Sequence, residues 1–135
     1  MAPRYFTLSE ANDLLQEVRP LAESLVEHRR GMREAAERRA RLTARIAGNG
    51  GDLDPQEPGE LDEEFERESQ AVAQAAASLQ FLGVLVKDLD TGLVDFPARH
   101  GGEDVLLCWQ LGEDEIAFWH GVDEGFAGRK PLPLD

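Results

Sequence analysis

The stretch ANDLLQEVRPLAESLVEHRRGMREAAERRARLTARI, residues 11–46, decides the fold of this chain. Its apolar residues recur at steps of three and four, the spacing of an apolar stripe along a helix that pairs with another helix in a coiled coil. The capping-box spacing of Thr7 and Glu10 starts the helix. We therefore predict a helix over residues 7–47, roughly 60 Å long, with a kink at Pro20. The stripe consists of Ala11, Leu14, Val18, Leu21, Leu25, Met32, Ala35, Leu42 and Ile46.

A second apolar stripe follows a turn-rich stretch and predicts a second helix over residues 59–82. The connection is short, so we expect the two helices to be antiparallel, with the chain reversing around residue 53. This reversal places the arginines of residues 29–45 beside the acidic residues of 57–68. We interpret the arginine cluster as one side of an interhelical charge pairing, with RNA binding as the weaker alternative. The second stripe consists of Leu61, Phe65, Val72, Ala75, Leu79 and Leu82.

Beyond Gly83 the apolar pattern changes to a period of two, which is typical of strands. We predict strands over residues 84–90, 92–96, 105–111 and 115–120, joined by glycine-containing turns as an antiparallel β-meander of residues 84–120. The tail, residues 121–135, is expected to wrap an edge of this sheet. The fold class is therefore α+β, a long helical hairpin followed by a small sheet, within a single domain of residues 1–135.

Charge and composition narrow the classes of function. The net charge of −13 opposes binding to nucleic acid or to an anionic membrane surface. The sequence contains no uninterrupted apolar run of the roughly 18 residues that a membrane span needs. The only cysteine, Cys108, has no partner for an internal disulfide, and the first residues do not resemble a secretory signal. We expect a cytoplasmic protein with no membrane partner.

The acidic stretch KDLDTGLVD, residues 87–95, is the first candidate site. If residues 91–92 form a two-residue loop, Asp88 lies opposite Asp95, and two carboxylates about 5 Å apart require a cation or a shared proton. If the loop is residues 90–92, Asp95 faces Lys87 in an ordinary ion pair. Both registers are open.

The second candidate site surrounds His120, which could act as a base or a metal ligand. We select as potential ligands of a divalent metal the residues Asp88, Asp90, Asp95, His120 and Asp123, with Glu115 beside them. Contacts to a cofactor or small ligand are expected from Trp109, Trp119 and Arg129, although Arg129 could instead clamp the tail onto Asp123 or Asp95. Cys108 lies among apolar residues and is interpreted as core packing.

Several segments together resemble one protein family. They are YFTLSEANDLL at residues 5–15, GVLVKDLDTGLVDFPA at 83–98, LCW at 107–109, WH at 119–120 and GFAGR at 125–129. With them the chain resembles the domain of unknown function 2203 family over nearly its whole length, except for the loop and helical arm between about residues 30 and 65. The resemblance implies no established activity, catalytic residue or cofactor.

Two functions are compatible with these patterns. The first is a non-enzymatic interaction module that forms a homodimer through the outer half of its helical hairpin, where two helices leave part of their apolar faces open. The alternative is a protein that binds a metal or small ligand at an acidic and histidine-containing site on the β-meander. If such a site is catalytic, hydrolase or lyase chemistry suits it best. Whether the protein is an enzyme is left open.

Overall fold

The computed structural model describes residues 4–48 and 54–134. Two helices come first, followed by an antiparallel sheet of five strands, so the predicted α+β class is confirmed. The helices are α1 (Leu8–Gly48) and α2 (Glu57–Phe81). The strands are β1 (Leu85–Asp88), β2 (Leu93–His100), β3 (Glu103–Gln110), β4 (Phe118–Gly121) and β5 (Lys130–Pro131), with a short 3-10 helix at Phe126–Gly128.

Helix α1 begins at the predicted capping box. The Glu10 amide donates to Thr7 Oγ1 at 3.0 Å, and Glu10 Oε1 accepts from the Thr7 amide at 2.8 Å. The helix is continuous through Pro20 to Gly48. The predicted chain reversal around residue 53 lies outside the described residues.

The buried face of α1 is wider than a coiled-coil seam at its start. Leu15 and Ala22 are fully buried there, whereas the predicted Leu14 and Leu21 are only partly buried and pack at the edge of the core. The sheet covers the first half of the helix together with α2, and two neighbours require a broader apolar stripe than one. Within the described residues, neither helix combines the length and apolar character that a bilayer crossing requires.

The outer halves of the two helices are joined by the predicted charge pairing. Ion pairs link Arg38 to Glu64 and Arg39 to Asp62, and the His28 ring lies 2.6 Å from a carboxylate oxygen of Glu68. An exposed ion pair of this kind contributes roughly 0–1 kcal/mol. The pairs therefore contribute more to the alignment of the two helices than to the stability of the protein.

The sheet has strand order β1-β2-β3-β4-β5, so every strand pairs with its neighbours in sequence. Its inner face contributes Val94, Phe96, Leu107 and Trp109 to the main core beneath the helices. The predicted strand bounds are partly wrong: β2 and β3 extend to a tight turn at residues 101–102, and β4 begins only at Phe118. The tail supplies the edge strand β5, as expected.

The β1–β2 register differs from both predicted alternatives, although the Lys87–Asp95 ion pair expected from the second one is present. Asp88 pairs with Leu93, and Leu85 pairs with Asp95, because a bulge lies between Val86 and Asp88. The connecting loop is therefore longer than two or three residues. Asp88 and Asp95 do not lie opposite each other.

Candidate functional site

Asp95, Cys108 and His120 meet on the outer face of the sheet, opposite the helices. Asp95 on β2 is the cross-strand partner of Cys108 on β3, and Cys108 is the partner of Phe118 on β4. His120 follows Phe118 by two residues, and alternation along a strand returns its side chain to the same face. The three potential ligand atoms all lie within 4.8 Å of one another. The residues are 1%, 0% and 3% exposed.

The hydrogen bonds of His120 show that a proton or a metal ion must lie between this ring and Asp95. Its Nδ1 lies 2.8 Å from the Gly121 carbonyl oxygen, which can only accept, so Nδ1 carries a proton and donates. Its Nε2 lies 3.1 Å from Asp95 Oδ1. In a neutral ring Nε2 would present a lone pair to the carboxylate, which is repulsive. A proton or a metal ion between these two atoms removes that repulsion.

Asp95 has one oxygen that is not satisfied. Oδ2 is buried and has no hydrogen-bond partner among the residues that the structure describes. The ammonium group of Lys87 approaches this oxygen at 4.0 Å, which is beyond hydrogen-bonding distance. Buried carboxylate oxygens normally have a hydrogen-bond partner. Because Oδ2 has none among the described residues, it can accept a ligand.

Cys108 contributes a thiol that is protonated at neutral pH. Burial raises its pKa to about 11, and the negative charge of Asp95 adds to the rise, while Arg129 acts in the opposite direction. The thiol is therefore a poor nucleophile by itself. The interpretation of Cys108 as core packing was incomplete, because its side chain also belongs to the cluster on the outer face.

Arg129 is held inside the protein rather than presented to a ligand. Its guanidinium group donates to both carboxylate oxygens of Glu113, at 2.6 and 2.9 Å, and lies over the rings of Phe118 and Phe126. The same group is 3.4 Å from the Cys108 carbonyl oxygen. Arg129 therefore clamps the tail, but its acidic partner is Glu113 and not the predicted Asp123 or Asp95.

The remaining predicted residues lie away from this cluster. Asp88 accepts a hydrogen bond from the Asp90 amide at 2.8 Å within the β1–β2 turn. Asp90 forms ion pairs with Arg29 and Arg33 of α1. Glu115 and Asp123 are exposed and do not belong to the cluster.

Trp109 and Trp119 are on the inner face of the sheet. The indole of Trp109 is fully buried and donates to the Glu113 carbonyl oxygen at 3.0 Å. Trp119 packs against the core and lies beneath the ammonium group of Lys130. Because they face the helices, neither ring lines the cluster at Asp95.

The fold and this cluster together describe a small α+β protein with a carboxylate, a thiol and an imidazole enclosed on one sheet face. The family model described as "Uncharacterized conserved protein (DUF2203)" matches residues 4–132. The chain belongs to this family, and the resemblance found in the sequence is confirmed. No curated protein and no solved structure matches the chain.

Proposed function

We propose that this protein binds a divalent transition metal of the zinc class through Asp95, Cys108 and His120. The observation that carries the proposal is the free, buried Oδ2 of Asp95 in a cluster whose other two members are also ligand types. The contact between Nε2 of His120 and Asp95 requires a proton or a metal ion between the two atoms, and a bound metal would satisfy it. These are side chains that would otherwise be costly to bury together.

The ligand types select the metal. Thiolate and imidazole favour Zn²⁺ and similar borderline ions, whereas Mg²⁺ and Ca²⁺ prefer oxygen ligands alone. In a tetrahedral site with bonds of roughly 2.0–2.3 Å, ligand atoms lie roughly 3.3–3.8 Å apart. The observed spread of up to 4.8 Å therefore requires a contraction of about 1 Å, within the reach of side-chain rotation.

Three protein ligands leave a fourth position for water or a small ligand. Sites with three protein ligands and one exchangeable position are typical of zinc that takes part in chemistry, whereas purely structural zinc has four protein ligands. The hydrogen bond from Nδ1 of His120 to the Gly121 carbonyl fixes the ring with Nε2 toward the metal position. If a water molecule occupied the fourth position, a metal held by these three residues would supply metal-activated water as the chemistry of the site.

Titration of metal-stripped protein with Zn²⁺ and Co²⁺ tests the proposal. We expect one equivalent to bind, and the Co²⁺ form to show the intense near-ultraviolet absorption of a cobalt–thiolate bond. Cys108→Ser should abolish that absorption, and Asp95→Asn should weaken binding by roughly 10–100-fold or more. The matched control is Asp123→Asn, an exposed acidic residue outside the cluster, which should bind as the wild type does. Absence of binding, or binding that both cluster variants leave unchanged, would contradict the proposal.

Self-association through the hairpin is the second candidate, and an exposed aromatic ring favours it. Phe65 is 39% exposed and lines a mostly apolar groove between the helices together with Ala35, Ala36 and Leu61, with the Arg39–Asp62 ion pair at its margin. A ring and a groove within one patch are self-complementary, as a two-fold dimer requires. We therefore assign the groove to a second copy of this chain.

Sedimentation at micromolar concentration tests this assignment. We expect a dimer for the wild type and a monomer for Phe65→Ser, because the serine removes the ring that fills the partner's groove. Phe81→Ser is the comparison variant, because Phe81 is 91% exposed beside a separate groove with Leu21 and Ala77 at the other end of α2, and we expect it to leave the dimer intact. A monomeric wild type, or equal loss of association in both variants, would rule the dimer out.

A further inference from the structure

Lys87 is positioned to compete with a metal ion for Asp95. The bulge in β1 leaves Lys87 without a cross-strand partner, between the pairs formed by Val86 and Asp88. Its ammonium group lies 4.0 Å from Asp95 Oδ2, the same oxygen that lacks a hydrogen-bond partner among the described residues. The Lys87 side chain is 44% exposed, while that of Asp95 is 1% exposed.

Lys87 and His120 are the basic groups within ion-pair distance of Asp95 in the described part of the chain. Arg129 is close to Cys108, but its charge is offset by two hydrogen bonds to Glu113. The ammonium group therefore offsets the charge of a carboxylate that is otherwise enclosed. Without a metal, this contact makes the buried charge less costly.

Metal binding reverses the role of this ammonium group. A divalent ion held by a carboxylate, a thiolate and a neutral imidazole has its charge balanced by its own ligands. The charge of Asp95 is then balanced by the ion, so the lysine near Oδ2 loses the attraction that held it there. Its long, half-exposed side chain can leave for water without disturbing the strand.

We propose that Lys87 is a tethered counter-cation that, beside the proton held between Asp95 and His120, stabilises the buried Asp95 in the metal-free protein and is displaced when the metal binds. This inference rests on the proposed metal function of Asp95, Cys108 and His120. It makes Lys87 a residue that sets the affinity of the site, because each binding event must break its contact with Asp95. The site would therefore fill only above a metal concentration that Lys87 helps to set.

The test compares Zn²⁺ affinity across lysine variants by competition with a chromophoric chelator. Lys87→Met keeps the length of the side chain but removes its charge, and we expect binding to tighten by roughly tenfold or more. Lys87→Arg keeps the charge and should bind within about threefold of the wild type, as a charge-based effect requires. Lys130→Met is the matched control, because Lys130 is similarly exposed and pairs with Glu124 at the other edge of the sheet.

A second measurement follows the melting temperature of the same proteins without metal. Lys87→Met should melt below Lys130→Met, because it leaves the Asp95 carboxylate without its neighbouring cation, and zinc should raise its melting temperature the most. Equal zinc affinity in Lys87→Met and wild type would overturn the inference while leaving the metal site intact. A wild type that binds no zinc would instead overturn the metal function and the inference together.

Discussion

At the scale of single residues, the central feature is a set of three polar side chains in an otherwise apolar environment. Asp95 and His120 are the polar or charged residues that are almost fully enclosed in the described chain. They share the outer sheet face with Cys108, whose thiol keeps its proton because burial disfavours a second negative charge beside Asp95. If the proposed metal binds, the cluster must release protons to accept it, and its occupancy should increase with pH.

The thiol of Cys108 should make the metal-free protein less stable in alkali. Its pKa is raised from 9.0 to about 11 in the folded state, so its contribution to stability is complete below pH 9 and is lost as the pH rises through 11. The complete loss amounts to about 3 kcal/mol, of which about 2 kcal/mol is reached by pH 11. Denaturant unfolding at pH 8 and pH 11 measures it as a difference between wild type and Cys108→Ala.

Cys108→Ala is expected to be less stable at pH 8, because it leaves a small cavity. Other groups also titrate between pH 8 and pH 11, but they do so in both proteins. Their contribution cancels when the pH-dependent loss of Cys108→Ala is subtracted from that of the wild type. If both proteins lost the same free energy of unfolding between the two pH values, the thiol would not be buried beside Asp95 as the structure shows.

At the scale of elements, the β1–β2 hairpin connects the site to the helical arm. Asp90 in its loop pairs with Arg29 of α1, and Leu89 packs against the second apolar cluster around Leu25. Gly92 ends the loop with φ +70°, and a Cβ built there would lie 3.0 Å from Leu111 Cβ and 3.1 Å from Val26. The hairpin thus needs a glycine for both backbone conformation and space.

Gly92→Ala should therefore destabilise the protein more than Gly101→Ala. Both glycines have positive φ, at +70° and +60°, but the position of a Cβ at Gly101 is open. We expect a loss of about 1–2 kcal/mol for Gly101→Ala from the backbone alone, and about 2–4 kcal/mol for Gly92→Ala once crowding is added. Thermal or urea unfolding measures both. Equal losses would mean that the contact with Leu111 and Val26 is not tight.

At the scale of the whole molecule, local patterns predicted the helices and the pairing of their charges. The capping box at Thr7, the apolar stripes and the opposite charge blocks are each readable within one segment of sequence. The extra burial of Leu15 and Ala22 was not predicted, because it depends on a sheet formed by residues far along the chain. The ends of the strands were also not predicted, because they depend on turns and on pairing at the sheet edge and not only on the two-residue apolar alternation.

The candidate site was only partly predictable for the same reason. Asp95 and His120 were selected from their residue types, but Cys108 joins them only because three strands align Asp95, Cys108 and Phe118 in one row. A bulge of one residue in β1 removed Asp88 from the site. The register of the strands decides which side chains lie next to one another on the same face of the sheet. A single sequence determines this register poorly where the turns are irregular.

The strand order also has a consequence for how the protein folds. Each strand pairs with its neighbour in sequence, so the sheet can form one hairpin after another with short loop closures. The three groups of the cluster come from β2, β3 and β4 and are complete only after the third of these strands has joined. A metal ion would therefore bind late on the folding pathway, and it would slow unfolding rather than speed the first steps of folding.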